Sequence, residues 1–146
     1  MARIAFIQYF WMENLGLMYI SSMLKKSGHK TLMCMNNRKM IKRKLSPFKP
    51  EIVGFYCISG MQGWIKDVAR FIKEEIDKDI LIVVGGPHPT YFPELIKDDN
   101  IDIICQGEGE YPMLELADNL DAGKDIRGIQ NLWVKSNGEI FKNQMR

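Results

Sequence analysis

The sequence predicts an α/β fold in which a five-stranded parallel sheet carries helices on both faces and ends in a C-terminal β-hairpin. Short runs that are apolar throughout alternate with helical segments, as expected for strands buried on both sides. Right-handed crossovers leave few topologies, and five such units fit the flavodoxin-like (Rossmann-like) strand order 2-1-3-4-5. The tail differs, because Asn137-Gly138 between two short runs is a strong hairpin signal.

The predicted strands and helices follow one another in chain order. Apolar, β-rich runs predict strands at residues 3–9, 30–35, 51–58, 80–84 and 101–105. Apolar residues at helical spacing predict helices at 15–28, 63–77, 91–97 and 110–121. The polar stretch 36–50 is predicted to hold at most a short helix, and the hairpin to occupy 131–143.

The first helix carries clear signals at both ends. Asn14 is a favoured N-cap residue, and Gly28 follows Lys25 and Lys26 of the last turn as a helix terminator. Apolar residues recur between these ends at helical spacing, which is typical of a face that packs on a core. These residues are Leu15, Met18, Tyr19, Met23 and Leu24.

Composition places the 146-residue chain among ordinary globular domains, with 46% hydrophobic and 26% charged residues. A net charge of +2 gives no general reason to expect a nucleic acid or a membrane surface as a partner.

Gln8 and Glu13 break the N-terminal apolar run, which does not match a signal peptide, so we expect a cytoplasmic protein. Cys34, Cys57 and Cys105 lack metal-site and disulfide spacing, so no metal site is predicted.

The unusual residues follow the predicted strand ends. In an open α/β sheet, ligands bind outside the carboxyl ends of the strands, where the strand order reverses. Glycines recur there, and a glycine lets the backbone lie against a ligand because it has no Cβ. The loops are Gln8-Tyr9, Ser59-Gly60-Met61, Gly85-Gly86-Pro87-His88 and Gln106-Gly107-Glu108-Gly109-Glu110. Each loop alone is a weak signal, but three glycine-bearing loops at one edge predict a binding site.

Several functions of this fold are excluded by residues that these loops lack. A phosphoacceptor receiver domain needs acidic residues after the first strand and an aspartate ending the third, where this chain has Gln8, Cys57 and Ser59. No G-x-x-x-x-G-K-[ST] motif exists, and no G-x-G-x-x-G motif follows the first strand. No nucleophile lies near a base in sequence, so no catalytic residue is predicted and the pattern indicates a binding domain.

Three segments resemble the cobalamin-binding domain at the N-terminus of many radical S-adenosylmethionine enzymes. They are NLGLMYISSMLKKSGHKT after the first strand, VGGPHPTYFPE after the fourth, and DIICQGEGEYPMLELADNL across the fifth strand and last helix. The resemblance covers almost the whole chain, and NLWVKSNGEI is similar to the hairpin that precedes the catalytic barrel in this family. It implies a cobalamin-binding domain at 1–128, with a hairpin and the start of a linker at 129–146.

The resemblance also implies where cobalamin binds, with the corrin ring on the carboxyl edge and the nucleotide tail beside the third and fourth strands. Ser59 and Met61 would meet the tail, Ser59 through a hydroxyl hydrogen bond to its dimethylbenzimidazole base. Gly85 and Gly86 would let that flat base pass close to the backbone. The implied cofactor-binding residues are Tyr9, Glu13, Leu15, Gly16, Ser59, Gly60, Met61, Gly85, Gly86, Pro87, His88, Gly107, Glu108, Gly109 and Glu110.

The sequence departs from two motifs of cobalamin and radical enzymes, and both departures bear on how cobalamin would be bound and used. Mutases and methionine synthases with this fold carry D-x-H-x-x-G after the first strand, and its histidine ligates cobalt. This chain has W-M-E-N-L-G there, with Glu13 in the place of the histidine, which implies cobalamin held base-off and without a histidine ligand. The CxxxCxxC motif is also missing, so S-adenosylmethionine and a [4Fe-4S] cluster are expected in a radical domain elsewhere in a longer parent enzyme, a methyltransferase.

Other interpretations of the same residues stay open. Glu108 and Glu110 also suit the positive end of the last helix, and His88 also suits a hydrogen-bonded loop anchor. His29, beyond the first helix, is predicted to lie on the surface. The whole chain can also be interpreted as a degenerate domain that binds no corrinoid and serves as a docking or structural module. A flavin module fits less well, because no hydroxyl-rich loop follows the first strand.

Overall fold

The computed structural model describes all residues, 1–146, and contains one seven-stranded sheet with helices on both faces. The strands are β1 (Arg3–Gln8), β2 (Lys30–Met35), β3 (Ile52–Tyr56), β4 (Leu81–Gly85), β5 (Ile103–Cys105), β6 (Leu132–Ser136) and β7 (Glu139–Lys142). The helices are α1 (Leu15–Lys26), α2 (Arg38–Phe48), α3 (Gln62–Glu75), α4 (Pro87–Tyr91) and α5 (Glu110–Asp121), with a 3₁₀ helix at Pro93–Lys97.

The strand order confirms the predicted topology. The strands β2, β1, β3, β4 and β5 are parallel neighbours in that order, so the strand order reverses between β1 and β3. The predicted hairpin is present as β6 and β7, joined through Asn137 and Gly138, both of which have positive φ. The hairpin extends the sheet, because β6 pairs antiparallel with β5, with Leu132 opposite Cys105.

Two apolar cores cover the two faces of the sheet. Helices α2 and α3 pack on one face, and helices α1 and α5 pack on the other. Successive strand side chains therefore enter different cores: Ile82 and Val84 of β4 face the first core, and Val83 faces the second. This two-sided burial explains why the strands are apolar throughout. None of the helices has both the length and the apolar character that crossing a membrane demands.

The buried face of α1 differs from the predicted one. Asn14 caps the helix as predicted, since its side chain accepts a hydrogen bond from the backbone N–H of Leu17 at 3.1 Å. The buried residues are Leu17, Ser21 and Leu24, and the exposed apolar residues include Leu15, Met18 and Tyr19. Ser21 can face the sheet because its hydroxyl lies 2.7 Å from that of Thr31 on β2 and is hydrogen-bonded there. Leu24 of the predicted set is therefore buried as expected, whereas Leu15, Met18 and Tyr19 lie on an outer face that the domain leaves uncovered.

Helix α2 is longer than the short helix that the polar stretch was expected to allow. Asn37 caps it by accepting a hydrogen bond from Met40 N at 3.0 Å. Ile41 and Leu45 are fully buried against the sheet, and Met40 and Phe48 pack partly buried on the same core, so this apolar side anchors the helix. Pro47 lies in the last turn instead of ending the helix before it.

The helix predicted at 91–97 is replaced by two shorter ones. Helix α4 begins at Pro87, directly after Gly86, and the 3₁₀ helix follows at Pro93–Lys97. Proline is favourable at the first position of a helix, because its φ is already helical and its missing N–H would have no partner there. Pro87 therefore starts a helix at a point where the sequence suggested a loop.

His29 is buried, which makes the prediction of a surface residue wrong. It is 6% exposed, and its Nδ1 accepts a hydrogen bond from the backbone N–H of Ala2 at 3.0 Å. Its Nε2 lies 2.8 Å from Asp118 Oδ1 on α5. Because a backbone N–H can only donate, Nδ1 must be unprotonated, and Nε2 donates to the carboxylate. This one side chain ties the start of β1 to the end of α5.

The substitution His29→Ala should therefore destabilise the domain by about 1–3 kcal/mol, since it leaves the buried Ala2 N–H without a partner. Urea unfolding followed by circular dichroism measures the loss. The matched control is His88→Ala, which removes the chain's other histidine from a more exposed site and should cost under about 1 kcal/mol. Equal losses in the two variants would contradict the role given to His29.

Candidate cofactor-binding site

A crevice opens at the carboxyl ends of the strands, at the predicted edge of the sheet. It has a volume of about 120 Å³ and lies between the sheet and helices α1 and α5. Strands β1, β3, β4 and β5 supply Phe6, Tyr56, Val83 and Cys105 to its lining. The strand ends, the loops and the first turns of α1 and α5 add residues that the sequence singled out, namely Gly16, Gly85, Gly86, Gly107, Glu108, Gly109 and Glu110. The predicted edge and the crevice therefore coincide.

Gly85 and Gly86 are neighbours with different roles in the crevice wall. A Cβ on Gly85 would lie 3.5 Å from Cys105 Cβ, an ordinary contact, and would occupy the crevice side of β4. A Cβ on Gly86 would lie 2.8 Å from the carbonyl oxygen of Cys57, and the φ of Gly86 is 103°. Gly86 is thus required by the chain's own close approach of β3 and β4, whereas Gly85 leaves space that the fold itself does not use.

A second depression adjoins the crevice and shares Leu17 and Tyr56 with it. This rim depression is defined by Tyr9, Phe10, Met12, Glu13, Ile58 and Met61 and has a volume of about 220 Å³. Its apolar side chains are mostly exposed, and Tyr9 packs edge-on against both Phe10 and Trp64. An exposed apolar group of this kind at a crevice mouth is typical of a surface that a ligand or a partner covers.

Ser59 and His88 meet beside the crevice, between the loops that follow β3 and β4. The Ser59 hydroxyl lies 2.9 Å from His88 Nδ1, and the His88 ring stacks on Phe92 with ring centroids 5.2 Å apart. His88 N–H also donates to the carbonyl of Cys57 at 3.0 Å. This geometry agrees with the interpretation of His88 as a loop anchor. The chain folds a serine next to a histidine, but the structure adds no third group that would orient the imidazole as in a catalytic triad.

The structure divides the predicted site residues into three sets. The crevice takes the seven glycines and glutamates given above, and the rim depression takes Tyr9, Glu13 and Met61. The remaining residues line neither space, and they are Leu15, Ser59, Gly60, Pro87 and His88. Sequence reasoning missed the strand residues of the lining, among them Phe6, Gly54 and Tyr56, and also Ile20 of α1. One signal existed, because a glycine inside a central strand, as at Gly54, marks a close approach.

The crevice lining is apolar except for the carboxylates at its mouth. Glu110 lies in the first turn of α5, where a negative charge also complements the helix dipole, and Glu108 precedes it. Burial, with smaller contributions from these two carboxylates, raises the pKa of the Cys105 thiol to about 12. The thiol is therefore neutral at physiological pH. A narrow, apolar slot with carboxylates at its mouth suits a flat, neutral heteroaromatic group better than a phosphate.

Comparison with known proteins agrees with this geometry. The sequence pattern of the family described as B12 binding domain matches residues 9–117. An uncharacterized methyltransferase of Pyrococcus horikoshii, PH0819, is 33% identical over 136 residues, which is 86% of this chain and 28% of that protein.

Two solved structures share the fold. TsrM from Kitasatospora setae, a radical S-adenosylmethionine methyltransferase with cobalamin and a [4Fe-4S] cluster bound, superposes with a TM-score of 0.86 at 16% identity. OxsB, a cobalamin-dependent S-adenosylmethionine radical enzyme, superposes with a TM-score of 0.84 at 20% identity. The match covers 99% of this chain in both cases, but 29% of TsrM and 22% of OxsB. The chain thus spans less than a third of each of these proteins, and it belongs to the B12 binding domain family.

Proposed function

We propose that this chain is the cobalamin-binding domain of a radical S-adenosylmethionine enzyme, a methyltransferase, and that it holds cobalamin base-off with no histidine on cobalt. The observation that carries the proposal is the glycine-walled, apolar crevice at the point where the strand order reverses. Ligands of open α/β sheets bind at this point.

The residues of the crevice fit the nucleotide tail of cobalamin. The open side of Gly85 and the apolar strand residues Tyr56 and Val83 would contact the faces of a flat base. Gly107 and Glu108 would border it on the opposite side. Ser59 lies beside this space, and its hydroxyl would turn from His88 to hydrogen-bond the base.

The rim depression fits the corrin ring. Phe10 and Met12 expose more than half of their side chains there, and Ile58 adds apolar surface on the β3 side. A corrin ring covering these residues would remove exposed hydrophobic surface from water, which is favourable. Cobalamin bound there would supply a carrier for a methyl group; the chain's own residues would bind and orient it.

The positions of both histidines support a cobalt centre without an imidazole ligand. His29 is buried between Ala2 and Asp118, and Ala2 precedes β1, so His29 lies at the opposite end of the strands from the crevice. His88 is hydrogen-bonded to Ser59 on the loop after β3. The loop after β1, which borders the rim depression, offers Glu13 instead, and a hard carboxylate is a poor substitute for imidazole on cobalt.

The partner of this domain would be a radical S-adenosylmethionine domain of the same parent chain. The match to TsrM supports this, because the aligned region is 29% of a protein that also holds a [4Fe-4S] cluster. S-adenosylmethionine and the cluster would bind to that domain. We place the protein in the cytoplasm, an assignment supported by three free and buried cysteines.

A second candidate function is that of a degenerate docking module that binds no corrinoid. The exposed apolar side of α1, with Leu15 at 63% and Tyr19 at 65% exposure, favours it, as does Trp11 at 85% exposure. Such residues would serve a protein partner equally well. The two candidates differ in one measurable property, which is retention of cobalamin.

Incubation with hydroxocobalamin, followed by desalting and an absorbance spectrum, tests the proposal. We expect the chain to retain the corrinoid, although more weakly than a full-length parent enzyme, because an open strand edge leaves one face of the ring in water. The same chain unfolded in urea serves as the control for nonspecific adsorption. A desalted sample of folded chain without corrinoid absorbance at saturating cobalamin would favour the docking module.

A further inference from the structure

We propose that Asn131, in the turn before β6, is a positioning residue of the cofactor site and sets the distance between the two walls of the crevice. The inference rests on the proposed function, because it assigns part of the same site to the C-terminal hairpin. Residue 131 lies beyond residues 9–117, to which the family pattern is matched, and beyond the domain end predicted at residue 128. It would extend the binding site into the hairpin.

Asn131 clamps the loop after β5 to the segment that follows β7. Its backbone carbonyl accepts a hydrogen bond from Gln106 N at 2.8 Å, and its side-chain amide donates to Gln106 O at 2.8 Å. On the other side, its backbone N–H donates to Gln144 O, and its Oδ1 accepts from Arg146 N, both at 2.9 Å. Asn131 is only 4% exposed, so these hydrogen bonds are shielded from water.

The clamped loop is in turn bonded to the segment after β4, which also lines the crevice. Gly107 N–H donates to Thr90 Oγ1 at 3.0 Å, and Thr90 Oγ1 donates to the carbonyl of Gly86 at 2.8 Å. The Gln106 side chain adds a third bond by donating to Thr90 O at 3.1 Å. Gly86 and Gly107 both line the crevice. Hydrogen bonds and the peptide link from Gln106 to Gly107 therefore connect Asn131 to Gly86 and Gly107, and under the proposal they fix how far apart these two lining residues stand.

The chemistry of the position suits asparagine alone. The backbone φ of residue 131 is 72°, a left-handed conformation that asparagine tolerates better than most residues with a side chain. The side chain must also donate to one carbonyl and accept from one N–H at the same time. Glycine meets only the first requirement. Aspartate keeps the shape but would place a negative oxygen against the carbonyl of Gln106.

The test compares Asn131→Asp with Asn143→Asp in the 146-residue chain. Asn143 is the matched control, because it also lies in the hairpin segment and its amide donates to two carbonyls, Arg127 O and Leu132 O, both at 2.8 Å and away from the crevice. The probes are cobalamin and cobinamide, which has the corrin ring without the nucleotide tail. A change in crevice width should affect only cobalamin, whereas a general loss of folding should affect both.

We expect Asn131→Asp to lower cobalamin affinity about tenfold and to change cobinamide affinity by less than about twofold. Asn143→Asp should leave the ratio of the two affinities unchanged. An unchanged ratio in Asn131→Asp, or an equal fall in Asn143→Asp, would overturn the proposal. If the aspartate variant does not fold, the ratio of cobalamin to cobinamide affinity is measured in Asn131→Gly instead, because glycine permits the left-handed backbone.

Hydrogen exchange separates this inference from the proposed function. The Gly107 amide, bonded to Thr90 Oγ1, should exchange faster in Asn131→Asp than in Asn143→Asp without any corrinoid present. Equal exchange rates would overturn the role of Asn131. If the unsubstituted 146-residue chain retains neither cobalamin nor cobinamide, the proposed function is overturned. The exchange result would still decide whether Asn131 positions the loop.

Discussion

Gly85→Val is expected to abolish the retention of cobalamin on a desalting column while the domain stays folded. The valine side chain would extend from β4 into the crevice, into space that the fold leaves open. Forcing a ligand past two added methyl groups typically costs about 1–3 kcal/mol, which corresponds to about a fivefold to 150-fold loss of affinity. Because the Cβ itself makes only an ordinary contact with Cys105, unfolding free energy should change by less than about 1 kcal/mol.

Gly86→Val is the contrasting variant, since it changes the next residue but acts on the fold. Its Cβ would lie 2.8 Å from Cys57 O and 3.0 Å from Cys57 N, at a φ of 103° that a β-branched residue rarely adopts. We expect a loss of about 3 kcal/mol or more in unfolding free energy. Cobinamide binding should survive Gly85→Val and weaken in Gly86→Val. Full retention of cobalamin by a folded Gly85→Val variant would place the tail elsewhere.

The strand order and the position of the site could be predicted because their signals are local. Strands buried on both faces are apolar throughout, and Asn14 and Asn137-Gly138 mark a helix start and a hairpin by their own backbone chemistry. The glycine-bearing loops follow strand ends, so the parallel topology alone brings them to one edge. These features need no knowledge of which distant residues touch.

Features that depend on distant partners could not be predicted in the same way. His29 is buried because Ala2 and Asp118, 27 and 89 residues away, satisfy both of its nitrogens. Ser21 shares the core side of α1 with Leu17 and Leu24 because Thr31 bonds it. Leu15, Met18 and Tyr19 of the same helix remain exposed. A periodic pattern indicates that a face exists, but it does not say which neighbour covers that face.

The crevice shows the same division. Its glycines and glutamates stood out, whereas Phe6 and Tyr56 have the character of ordinary strand residues and line it only because they lie beneath α1 and α5. The two glycines of one motif also have unlike roles, since the sequence cannot show that Cys57 approaches Gly86 and not Gly85. The sequence therefore shows where small residues follow a strand, but it does not show whether the fold or a ligand requires each of them.

The cobalt(II) form of bound cobalamin is expected to show no resolved nitrogen splitting in its electron paramagnetic resonance spectrum. Splitting requires a nitrogen ligand on the axis of the ring, from a histidine or from the cofactor's own base. In the proposed arrangement the base occupies the crevice, and the loop after β1 carries Glu13 at the histidine position of the D-x-H-x-x-G pattern. The expected spectrum is that of a base-off centre whose lower face is empty or bound by water.

Free cobalamin at neutral pH, in which the base coordinates cobalt, provides the reference spectrum with nitrogen splitting. The variant His88→Ala tests the one histidine near the site, and it should leave the spectrum of the bound form unchanged. Splitting that His88→Ala removes would show that His88 leaves Ser59 and ligates cobalt. Splitting that persists in His88→Ala would show that the base stays on cobalt, in which case the crevice does not hold the tail. Either result contradicts the proposal, because both need an axial nitrogen ligand beside the rim depression, whose lining contains no histidine.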